Sequence, residues 1–94
     1  MIVVRNTFTA KPGHAAALLI KMKGMASAGG LKNARFFTDL SGDFNTVVME
    51  HDVESLSEFE AIIEKYMNDD EIREMAAGYL DLWTSGKREF FRVA

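Results

Sequence analysis

Three observations predict an α+β domain in which one antiparallel sheet carries its helices on a single face. Runs with the two-residue alternation of strands open the chain, fill its middle and close it. Runs with helical spacing separate them in the order β-α-β-β-α-β. The length of 94 residues leaves room for one core, so residues 1–94 are read as a single domain. A domain of this size buries only about 60 to 65% of the surface of its unfolded chain, and so gains from association.

The first strand runs from about Ile2 to Ala10, with Ile2, Val4, Asn6 and Phe8 on one face and Val3, Arg5, Thr7 and Thr9 on the other. Lys11-Pro12-Gly13-His14 breaks the alternation. Over about residues 12–28, Ala15, Leu18, Leu19, Met22, Met25 and Ala26 recur at helical spacing, and Gly29-Gly30 stops that helix. Two further strands, residues 33–40 and 44–52, flank Ser41-Gly42-Asp43, a short Gly-containing hairpin connection.

Ser55 with Glu58, or Ser57 with Glu60, offers the cap of a second helix carrying Phe59, Ile62, Ile63 and Tyr66. The acidic run Asn68-Asp69-Asp70-Glu71 starts another, because carboxylates suit the positive end of the helix dipole. Ile72, Met75, Ala76, Tyr79, Leu82 and Trp83 form its apolar stripe, Gly86 is expected to close it, and residues 88–93 form the last strand.

This order is the split β-α-β, or ferredoxin-like, arrangement. It leaves one sheet face bare, yet Val3-Val4, Phe36-Phe37, Val47-Val48 and Phe90-Phe91 place apolar side chains on both faces. A second copy packed face to face would cover the bare side, so a homodimer is expected.

A composition 48% hydrophobic and 27% charged is that of an ordinary folded domain. With a net charge of −3 and its Lys and Arg scattered singly, the chain has no basic stripe to track phosphates, and nucleic acid is not an expected partner. The absence of Cys removes disulfides, thiolate nucleophiles and thiolate metal sites together. No run reaches the roughly 18 apolar residues of a membrane span, so no membrane partner and a cytoplasmic location are expected.

Asn6 is the residue that least fits its place. Strand interiors disfavour Asn, and an unsatisfied amide on a core-facing stripe costs about 1 to 3 kcal/mol. Its partner is therefore a neighbouring side chain, a water or a ligand. His51, between Glu50 and Asp52, is the candidate general base, since a neighbouring carboxylate raises an imidazole into the working range. Adjacent strand residues point to opposite faces, however, so neither carboxylate is guaranteed to reach the ring.

Phe8, Tyr66, Tyr79, Trp83 and Arg92 are the candidates for substrate contact. Tyr66, Tyr79 and Trp83 share helical spacing with Ile62, Met75 and Leu82, and core packing with the polar tip satisfied at the margin is the favoured reading of all three. His14 and His51 are far apart and lack metal-binding spacing, so no metal site is predicted. Arg5 and Arg35 are expected to pair with Asp39 or Glu89 across strands. No phosphate-binding loop is present.

The opening, a strand ending Asn6-Thr7-Phe8-Thr9-Ala10-Lys11-Pro12-Gly13-His14 that runs into a helix, resembles the dimeric α/β barrel superfamily, in particular its NIPSNAP-like and antibiotic-biosynthesis-monooxygenase-like members. Val53-Glu54-Ser55-Leu56-Ser57-Glu58-Phe59 resembles the same family's passage from third strand to second helical region. Some relatives degrade haem with an Asn on the first strand and a Trp and a His on the second helical region. Asn6 matches that Asn, but residues 59–78 hold neither of the others, so the haem ligand is not carried over and no cofactor is expected.

Other relatives oxidise polycyclic aromatic compounds without a cofactor, in a pocket between sheet and helices. The resemblance thus implies a small-molecule-binding protein of cofactor-free monooxygenase or isomerase type. Asn6 would orient an oxygenated ligand of small apolar or aromatic character. The alternative is a non-catalytic binding or stress-response module whose cavity is filled by Phe8, Phe36, Met49 and Trp83.

Overall fold

The computed structural model describes the whole chain, Met1–Ala94. Its elements are β1 (Ile2–Ala10), α1 (Ala15–Gly29), β2 (Lys32–Thr38), β3 (Thr46–Val53), α2 (Leu56–Asn68), α3 (Asp70–Met75), a 3-10 turn (Tyr79–Leu82) and β4 (Trp83–Arg92). The strands form one antiparallel sheet in the order β2-β3-β1-β4. Each crossover therefore skips one strand, which is the ferredoxin-like arrangement expected.

Local chemistry sets most of the boundaries. The chain turns at Pro12-Gly13 with Gly13 at φ 81°, so α1 starts at Ala15, where its apolar stripe begins, and not at residue 12 as expected. It ends at Gly30, whose left-handed φ of 65° lets its N–H reach the carbonyls of Ala26 and Ser27. Of the two candidate caps, Ser55 is used: its Oγ accepts the Glu58 N–H at 3.1 Å. Asp69 caps α3 in the same way, accepting the Ile72 N–H at 3.1 Å.

The third helical stretch is shorter than predicted. Gly78 adopts φ 80° and breaks the helix, a 3-10 turn follows, and Trp83 already begins β4. Gly86 is consequently a strand residue and not a helix stop. It lies opposite Phe8, where an added Cβ would stand 2.9 Å from Phe8 Cδ1. The apolar stripe misleads because Tyr79, Leu82 and Trp83 do pack against the core, but from a turn and a strand end.

The register buries Val4, Asn6, Phe8 and Ala10 of β1 and Val47, His51 and Val53 of β3 beneath the helices, against Leu18, Met22, Ala26 and Ile72. The bare face carries Val3, Phe37, Val48 and Phe91 among charged groups. There Arg5 Nε meets Glu50 Oε2 at 2.7 Å, so the partner of Arg5 is the residue directly across on β3 and not Asp39 or Glu89. Glu89 pairs with Lys87 instead, and the Arg35 guanidinium lies 5.1 Å from the Phe37 ring centre. No helix is long and apolar enough to cross a membrane.

The helix side of the sheet has two halves. Phe8, Ala10, Leu18, Met22 and Val47 form a filled core, against which Phe36, Met49, Tyr79, Leu82 and Trp83 pack. By contrast, α2 contributes no fully buried residue, and the space beneath it is where side chains fail to fill the volume.

Candidate functional site

Beneath α2 lies a cavity of about 210 Å³. Its floor is the sheet, and its walls are apolar side chains such as Met22, Met25, Phe59 and Ile63. Among its lining residues only Asn6, His51 and Arg88 are not hydrophobic.

Register brings these three together. Because β1 is central, Asn6 has Arg88 of β4 directly opposite on one side and Met49 of β3 on the other. His51 stands opposite Val4, one step along the same face and diagonal to Asn6, within reach of a shared ligand. Arg88 Nε donates to Asn6 Oδ1 at 2.8 Å, while its guanidinium carbon lies 5.0 Å from the Phe59 ring centre. Asn6 and His51 are 5% and 3% exposed, whereas Arg88 is exposed, so the arginine marks the rim and the other two the floor.

The His51 ring lies nearly parallel to that of Phe59, with centres 6.5 Å apart, and its Nδ1 is buried without a partner. Burial, and then the positive charge of Arg88, hold its pKa below the ordinary 6.5 against the opposing pull of Asp52 and Glu58. The ring is therefore neutral at pH 7, and the expected raising by a neighbouring carboxylate is not what prevails. Alternation is the reason: Glu50 faces the other side with Arg5, and Asp52 accepts from Asn33 Nδ2 at 2.8 Å.

The remaining candidates divide. Phe8, Tyr66 and Tyr79 line the cavity. The Tyr66 hydroxyl donates to the Met25 carbonyl at 2.8 Å, and burial pushes its pKa up to about 12, so that group fastens α2 to α1. Burial also raises Tyr79, whose ring meets Phe8 edge-on at 6.0 Å. Trp83 does not reach the cavity; it supports Phe8 from behind, ring centres 5.1 Å apart.

Arg92 lies exposed at the end of β4, opposite Ile2 and away from the cavity. The arginine that does enter, Arg88, was missed. Its signal is its place across from Asn6, which becomes legible only once β4 is known to start at Trp83.

No family model and no curated protein matches the sequence. Among solved structures, a NIPSNAP family protein of unknown function from Agrobacterium tumefaciens superposes with a TM-score of 0.88 at 18% identity, covering 100% of this chain and 88% of that one. The fold is that of NIPSNAP family proteins. An uncharacterized NIPSNAP domain protein from Burkholderia xenovorans gives 0.82 at 20% identity, covering 100% and 95% of the two chains. A protein described as an antibiotic biosynthesis monooxygenase from Chloroflexus aurantiacus gives 0.78 at 15%, covering 99% and 92%.

At these identities the NIPSNAP likeness is one of fold, and the chemistry rests on this chain's own residues. An apolar cavity with one cation at its rim and one amide on its floor can hold a ring by its oxygen. The neutral imidazole beside them can accept a proton.

Proposed function

We propose that the protein is a homodimer that binds a small oxygen-bearing ring compound beneath α2 and moves a proton on it, as an isomerase or a cofactor-free monooxygenase does. The observation that carries this reading is the meeting of Asn6, Arg88 and His51 in an otherwise apolar cavity. Arg88 and Asn6 would donate to the oxygen on which negative charge develops, an interaction strengthened by the low-dielectric surroundings. His51, neutral, would take the proton from the neighbouring carbon. Returning it elsewhere completes an isomerisation, whereas passing electrons from the carbanion to dioxygen begins an oxygenation.

Size narrows the choice. A cavity of about 150 Å³ holds benzene, so one of about 210 Å³ suits one substituted ring or two fused rings and is small for larger polycycles. The open space under α2 favours ligand binding over a filled, non-catalytic module. The partly exposed Phe37 and Phe91, with Val3 and Val48, support a second copy on the bare face.

The test is deuterium exchange at the enolisable carbon of 2-tetralone, followed by NMR, with a native mass spectrum of the same sample. Wild type should accelerate exchange as a dimer, and Asn6→Ala should lose the acceleration with the dimer intact. Binding of 2-tetralone without exchange would overturn the enzymatic reading in favour of a binding module, and a monomer at micromolar concentration would overturn the dimer.

A further inference from the structure

Arg88 is a cation with no anion beside it. The ion pairs of the protein join Arg5 to Glu50, Lys32 to Glu58, Arg73 to Asp70 and Lys87 to Glu89, and none involves Arg88. No Asp or Glu lines the cavity, so Arg88 is its one charged group, in a chain whose net charge is −3. Its Nε has the neutral amide oxygen of Asn6 as acceptor, which leaves the terminal N–H groups of the guanidinium without a protein acceptor. A cation held at the rim of an apolar cavity, with a neutral imidazole on the floor, is a site short of one negative charge.

We infer that the ligand of this cavity is an organic anion of one or two rings, a carboxylate or an enolate or phenolate, whose oxygens accept from the terminal N–H groups of Arg88 that the protein leaves without an acceptor. The inference rests on the reading of the cavity as a ligand site and narrows it by charge. The apolar body of the ligand would lie over Phe59 and between the methionines, Met22 and Met25, whose flexible side chains adapt to ring shape. Its charge would face the exposed side, where the guanidinium stands, so the rings and not the anion are dehydrated. That division lets the site select charge without burying an ion.

The experiment is calorimetric titration at pH 7 with two isosteric probes, 2-naphthoate and 2-naphthamide, into wild type, Arg88→Met and Arg92→Met. Wild type should prefer the carboxylate by about tenfold, the scale of one charge-assisted hydrogen bond at a partly solvated site. Arg88→Met should abolish the preference by weakening the carboxylate about tenfold more than the amide, which loses only its bond to the guanidinium and still binds in the apolar cavity. Arg92→Met, which removes the same charge from the same strand outside the cavity, should keep the preference.

Equal binding of the two probes to wild type overturns the inference and leaves the cavity reading standing. So does a preference that survives Arg88→Met or is lost equally in Arg92→Met. Failure of both probes to bind wild type at millimolar concentration overturns the cavity reading and the inference together.

Discussion

Asn6→Leu separates a residue kept for a ligand from one kept for the fold. The wild-type amide is 5% exposed and its Oδ1 accepts one hydrogen bond, from Arg88. Losing a bond to a charged donor costs about 1.5 to 3 kcal/mol when the donor is stranded, but Arg88 is exposed and rehydrates, so about 1 kcal/mol is the fitting charge here. In return, a leucine at this buried position contributes about 1.5 to 3 kcal/mol of apolar burial, and the strand no longer carries a residue of low β-propensity. The neighbouring cavity leaves room for the two methyl groups that replace the smaller amide oxygen and nitrogen, which limits overpacking. The balance is a stabilisation of about 1 to 2 kcal/mol, and each kcal/mol raises the midpoint by about 4 to 8 °C for a chain of this length.

Thermal and urea unfolding at one fixed protomer concentration measure that change, with 2-naphthoate titration run on the same samples. Higher stability together with lost binding identifies an amide retained at the expense of the fold. A destabilisation of about 1 kcal/mol or more would refute the reasoning, because Asn6 would then be the structural partner of Arg88 and the polar floor would need no ligand to explain it.

Two further expectations follow from the packing around the cavity. An alanine Cβ at Gly29 would fall on the Tyr66 ring, 2.7 Å from its Cζ, so Gly29→Ala should destabilise by about 1 to 2 kcal/mol through the displaced ring and the lost bond to Met25. In a Tyr66→Ala background, urea unfolding should show the sign reversed, since alanine then contributes about 0.5 to 1 kcal/mol of helix propensity, and an unchanged sign would mean that Tyr66 is not why glycine stands there.

Because burial and Arg88 lower the folded pKa of His51, the unfolded chain binds more protons as pH falls. The stability contributed by neutral His51 is complete above its ordinary 6.5 and is lost as pH drops through the lower folded value. Unfolding free energy should therefore decline as pH falls below the ordinary 6.5, and His51→Phe should flatten that slope. A slope that persists in the variant assigns the titration to another group.

Much of the fold was legible because it is specified locally. The alternation of β1, the Ser55 and Asp69 caps and the stop at Gly30 each depend on residues within about one helical turn or one strand. The same alternation put Asn6 on the helix face and split the doublets Val3-Val4, Phe36-Phe37, Val47-Val48 and Phe90-Phe91 between the two sides of the sheet. The break at Gly78 was not legible, because Tyr79, Leu82 and Trp83 keep apolar spacing across it while the backbone passes from turn to strand.

That misreading hid the site. Arg88 is 82 positions from the amide it bonds, and only the β1–β4 register joins them. Tertiary structure likewise decided which carboxylates His51 would not meet, which hydroxyl Tyr66 would spend on α1, and that the space under α2 would stay open. Periodicity and capping act over a few residues, so sequence determined the elements and the face on which each side chain stands. Register and burial act across the whole sheet, and they alone determined which side chains share a cavity and whether their charges are paired.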